Sequence, residues 1–131
     1  MRTELALAAL ATTLLLPVPL ARADSRCVDN WFPFVPNGTT YAEGNTRAGQ
    51  PCQMGFGVRG ANIEALRTIV RPSHGVLGSS DKEGNRRYIA YAPKAGFVGR
   101  DRFDVHIQYT LPGHASLTLT TRVKVEMNVT P

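Results

Sequence analysis

The chain has 131 residues, 43% of them hydrophobic and 19% charged, with a formal net charge of +5. That apolar share supports one modest core and excludes a charge-rich disordered chain. The mild basicity, scattered over many segments, excludes a nucleic-acid binder built on a basic helix or an aromatic-basic repeat.

In chain order, residues 1–23 read as a secretory signal peptide. Arg2 supplies the positive start, and residues 5–16 are uncharged and rich in Ala and Leu. That run is shorter than the roughly 20 apolar residues a bilayer span needs. Pro17 and Pro19 break it, and Ala21-Arg22-Ala23 is an A-x-A cleavage site. Cleavage is expected after Ala23, giving a periplasmic or secreted protein with no stable membrane span. Losing Arg2, Arg22 and Glu4 with the leader lowers the charge by one, to +4. Such a surface is an ordinary solvated one, or one drawn to anionic envelope polymers.

Cys27 and Cys52 are the two cysteines. Export makes a disulfide between them the expected state, contributing roughly 3 kcal/mol on a chain-entropy account. It would tether a Pro-rich N-terminal segment, 24–61, to the rest of the domain, 62–131. Within that segment Trp31, Phe32 and Phe34 interleave with Pro33 and Pro36, and Asn37-Gly38 marks a turn. Rigid aromatic area beside proline suits a partner-binding surface, or a cover over one open side of the domain. Short strands are expected at 39–42 and 50–58.

Residues 62–70 fit both periods: Ile63, Leu66 and Val70 at helical spacing, Leu66, Thr68 and Val70 on one strand face. A strand is the expectation, because everything downstream is β. Residues 75–79 read as a strand, 81–85 as a polar turn, 87–92 as a strand around Tyr88, Ile89 and Tyr91, and 93–101 as a Gly/Pro loop. Phe103, Val105, Ile107 and Tyr109 then alternate with Asp104, His106 and Gln108. After the Pro112-Gly113 turn, Leu117, Leu119, Val123, Val125, Met127 and Val129 all fall on odd positions. A period of two held this long means half-buried strands, and the short turn makes them an antiparallel hairpin. The fold class expected is all-β, an Ig-like antiparallel sandwich of about seven strands.

Pro72-Ser73-His74-Gly75-Val76, Tyr91-Ala92-Pro93 and Gly96-Phe97-Val98-Gly99-Arg100-Asp101-Arg102-Phe103 form an ordered set. It resembles the bacterial cadherin-like or Ig-like repeat, over about residues 62–129. The resemblance implies an Ig-like sandwich of the kind found in surface and adhesion proteins. In the same motif, Gly96 and Gly99 permit positive φ. Phe97 is expected to plug inward between the sheets, Asp101 to accept backbone N–H bonds and Tyr91 to pack under the same corner. The acidic clusters of calcium-binding members are replaced here by Gly60-Ala61-Asn62-Ile63-Glu64 and Leu111-Pro112-Gly113-His114. Neither supplies the several oxygen ligands Ca²⁺ requires.

Three further patterns bear on chemistry. Gly55-Phe56-Gly57-Val58-Arg59-Gly60 fits G-x-G-x-x-G, with Asp81 beyond it. Without a following helix it reads as a bulge or loop near the rim, and no cofactor is expected. Asp104 and His106 share a strand face, and His114 follows in the turn, a candidate Zn²⁺ or Cu²⁺ set. Ser73 beside His74 makes no nucleophile-base pair, no G-x-S-x-G turn exists and no catalytic residue is expected. The functional expectation is a non-enzymatic exported module binding a protein or an envelope polymer, without nucleic acid and with homo-oligomers open to it. The alternative is a small periplasmic metal-binding β-protein.

Overall fold

A computed structural model describes residues 26–27, 33–57, 60–78, 81–83 and 86–131. The leader and its cleavage site, Trp31 and Phe32 lie outside the described residues. Among those described, eight strands form two sheets, the expected all-β sandwich. They are β1 (Gly38–Arg47), β2 (Cys52–Phe56), β3 (Asn62–Val70), β4 (Gly75–Leu77), β5 (Asp81–Glu83), β6 (Arg86–Pro93), β7 (Gly99–Leu111) and β8 (His114–Thr130). One sheet runs β1-β8-β7-β3, the other β2-β6-β4, with β5 also on β6. Reading β2 to β4 as B, C and D and β6 to β8 as E, F and G gives the B-E-D and C-F-G orders of an immunoglobulin-like sandwich.

The core follows from the alternation. Phe103, Val105, Ile107 and Tyr109 of β7 and Val123, Val125, Met127 and Val129 of β8 are buried between the sheets. Cys52, Met54 and Phe56 of β2 and Ile89 and Tyr91 of β6 face them. β7 and β8 pair antiparallel, closed by Pro112-Gly113 with Gly113 at φ 78°. Proline followed by a positive-φ glycine suits a type II turn.

Four elements differ from expectation. β1 is ten residues long and pairs with β8 in parallel, so the sandwich is not wholly antiparallel. Its buried positions are Thr40, Ala42 and Gly44, too small or polar to read as a core face. Thr40 and Thr121 satisfy each other by a buried hydroxyl contact at 2.8 Å. β2 is shorter than 50–58. Residues 81–83, expected as turn, pair with β6 through the backbone, which needs no apolar side chain. β7 starts at Gly99, so the end of the expected loop is strand. Residues 62–70 are a strand, as expected.

The Cys27–Cys52 disulfide forms, with Cα atoms 5.1 Å apart. Cys27 also donates its N–H to the Gln53 carbonyl (2.8 Å) and accepts from the Asn45 N–H (3.0 Å). It thereby ties β2 of one sheet to β1 of the other and closes that side of the sandwich. On the opposite side β3 and β4 are terminal strands of their sheets, and among the described residues no disulfide joins them.

Candidate functional site

The motif around residues 96–103 is a structural corner. Gly96 (φ 79°) and Gly99 (φ 137°) take conformations that disfavour a side chain. Asp101 is 2% exposed and accepts from the N–H groups of Ser73 (3.0 Å), His74 (3.1 Å) and Arg102 (2.9 Å). The Tyr91 hydroxyl donates to it at 2.7 Å. Burial first, then the Asp101 carboxylate beside it, raises the Tyr91 pKa far above its ordinary value. Phe97 is half-buried against the core and stacks on the His74 ring, centroids 4.3 Å apart and planes within 5°. It covers the sandwich end instead of filling its middle. Ser73 and His74 are held by their backbones.

The candidate metal ligands do not converge. Both nitrogens Nε and Nη2 of Arg122 donate to Asp104 Oδ2, at 2.9 and 2.6 Å. His106 sits opposite Arg122, whereas His114 sits opposite Leu111, five residues farther along β7. At strand rise that is about 17 Å. No group of three metal-ligating side chains forms among the described residues.

The glycine-rich stretch is also structural. Gly55 lies inside β2 opposite Tyr88, and a Cβ there would stand 2.9 Å from the tyrosine ring. The glycine is there to seat that ring, not to make a bulge. Phe34 is half-buried, edge-on to Tyr109 at 5.1 Å, so it covers the core.

What the fold presents outward is the polar face of the four-stranded sheet. Residues of β3, β7 and β8 that point away from the core form rows across the strands. Arg67, His106 and Arg122 make one row, and Asp104 and Lys124 part of the next. Two ion pairs lie on this face, Arg122 with Asp104 (2.6 Å) and Arg100 with Glu126 (3.1 Å). Arg67, Arg102 and Lys124 add cations beyond those pairs, and on β1 Glu43, opposite Glu126, is offset by Arg47, so positive charge predominates. Exposed Tyr41, 72% accessible, borders the same face on β1.

A second feature lies at the open side. A groove of about 540 Å³ runs between the end of β3 and β4, lined by Thr68, Arg71, Pro72, Gly75, Val76 and Leu77 among others. Neither this groove nor the basic rows were singled out from the sequence. Arg71-Pro72 was legible as a strand terminator, but which sheet edges stay open depends on the pairing order.

No family model and no curated protein matches the chain. Among solved structures it is similar to Plasmodium falciparum protein Pf12p, with TM-score 0.38 and 8% identity over 72% of this chain and 43% of that one. It is also similar to the cysteine protease inhibitor EhICP2 from Entamoeba histolytica, with TM-score 0.31 and 14% identity over 69% of this chain and 86% of that one. The chain therefore spans less than half of the Pf12p chain. At these TM-scores neither likeness bears on function.

Proposed function

We propose that this protein is a non-enzymatic, exported interaction module that engages an anionic partner, a cell-envelope polymer or an acidic protein surface, in the periplasm or at the cell surface. The observation that supports this reading is the basic outer face of the β1-β8-β7-β3 sheet. There Arg67, Arg102 and Lys124 stand beyond the two ion pairs on a solvent-facing surface. Clustered like charge on such a face raises the local concentration of an oppositely charged polymer. The leader-like residues 1–23, the disulfide and the motif set that resembles cadherin-like surface domains agree with it.

The test is co-sedimentation with purified cell-envelope fragments. The protein should pellet at low salt and be released at high salt. Reversing two charges together, Arg67→Glu with Lys124→Glu, should leave it in the supernatant. Equal pelleting of both forms would remove the support for this face.

A further inference from the structure

We propose that the open side of the sandwich docks an extended acidic segment of a partner protein, which adds as a strand to the free edge of β4. This surface is separate from the basic outer face, so either can fail without the other.

The backbone of β4 sets the case. The Gly78 N–H donates to the Ala90 carbonyl at 2.8 Å, and the Lys94 N–H donates to the His74 carbonyl at 2.8 Å. Backbone groups alternate in direction along an antiparallel strand. Residues 74, 76 and 78 therefore turn toward β6, and Gly75 and Leu77 turn their N–H and C=O outward. Among the described residues β4 pairs only with β6. Unpaired strand-edge groups of this kind are the template that an added strand completes.

The rest of the molecule channels an incoming strand to this place. The opposite side is closed by Cys27, bonded to β2 and β1. The start of the β3 edge is also covered, because Arg87 reaches from β6 to donate to the Glu64 carbonyl at 3.2 Å. The far end of β3 is left, where it meets the groove of about 540 Å³ beside β4. Val76, 56% exposed, supplies apolar contact in the groove.

Charge chooses the occupant. Arg71 lines the groove, and none of the groove's lining side chains is acidic. A strand bearing carboxylates is complementary to this edge. A second copy of the chain is not: pairing its own groove edge here would set the Arg71 side chains of two copies together.

The experiment is an NMR titration of the oxidised protein with three acetylated hexapeptides. One alternates Val and Glu, one alternates Val and Lys, and one is the Val/Glu peptide N-methylated at alternate amides. The Val/Glu peptide should shift the amides of Gly75 and Leu77 and slow their hydrogen exchange. The Val/Lys peptide should bind about tenfold more weakly, and the exposed substitution Arg71→Glu should reverse that preference. N-methylation should abolish binding, because it removes the strand-pairing donors. The proposal is overturned if the Val/Glu peptide leaves Gly75 and Leu77 unmoved, or if the lysine or N-methylated peptide binds as well. It is equally overturned if the free protein sediments as a dimer that already protects those amides.

Discussion

The Tyr91 hydroxyl donates a 2.7 Å hydrogen bond to Asp101, joining β6 of one sheet to β7 of the other inside the core. The same carboxylate holds the backbone of Ser73 and His74, which leads into β4. One buried anion therefore fixes both the inter-sheet contact and the position of the β4 edge. Asp101→Ala strands several donors and should lower stability by about 3 kcal/mol, whereas Tyr91→Phe removes one bond and should cost about 1–2 kcal/mol. Urea unfolding of the two single variants and the double one measures this. Strict additivity would show that the two groups do not act together.

Alkaline stability follows from the same pair. Burial, reinforced at Tyr91 by the Asp101 carboxylate, raises the pKa of Tyr91, and burial raises that of Tyr109. Above the ordinary tyrosine value of 10.0 the unfolded chain loses these protons while the folded chain keeps them. The folded state then binds more protons, so stability is full below that value and falls as pH rises beyond it. Tyr91→Phe should flatten that decline, as read by urea midpoints taken across the alkaline range.

Removing the disulfide should weaken the protein without unfolding the sandwich. The sequence separation of 25 residues gives about 3.5 kcal/mol by loop-closure entropy. Cys27→Ser with Cys52→Ser should lower the melting temperature and raise hydrogen exchange first at the amides of position 27 and Asn45, which donate to the Gln53 and Cys27 carbonyls. Uniform loss of protection across β7 and β8 would contradict a local tether.

Gly75 is where β4 lies flat on Tyr91. A Cβ there would stand 2.6 Å from the tyrosine ring and 2.7 Å from the Ala92 carbonyl oxygen. The ring is buried and the carbonyl is backbone, so neither gives way easily, and Gly75→Ala should cost about 1–3 kcal/mol. At Gly44 the Cβ would meet the ends of Met127 and Met54, flexible side chains that can shift, so Gly44→Ala should cost less. Denaturant midpoints of the two variants give the order.

The long hairpin was legible because Phe103 to Tyr109 and Leu119 to Val129 alternate with apolar residues on one face, broken only by Thr121, whereas Leu117, read on the same face, is 54% exposed. So was the role of Asp101, whose place before Phe103 suited a backbone acceptor. β1 was legible only in part, since its inward positions are Thr40, Ala42 and Gly44, and its parallel pairing with β8 leaves no turn signal. The 81–83 strand carries no apolar pattern at all. The basic rows and the open groove were hidden for another reason: Arg67 and Lys124 share a face, and Arg71 meets β4, only through the pairing register. Asp104, His106 and His114 show the converse, as neighbours in sequence that the hairpin spreads along its length.

Binding through the basic outer face is tested by the affinity of the purified protein for a fluorescent anionic polysaccharide, followed against salt. Binding should be measurable at low ionic strength and weaken steeply as salt screens the face. Reversing Arg67 and Lys124 to Glu should abolish it while leaving the urea midpoint nearly unchanged. If the reversed protein binds with wild-type affinity and wild-type salt dependence, the basic outer face is not the binding surface.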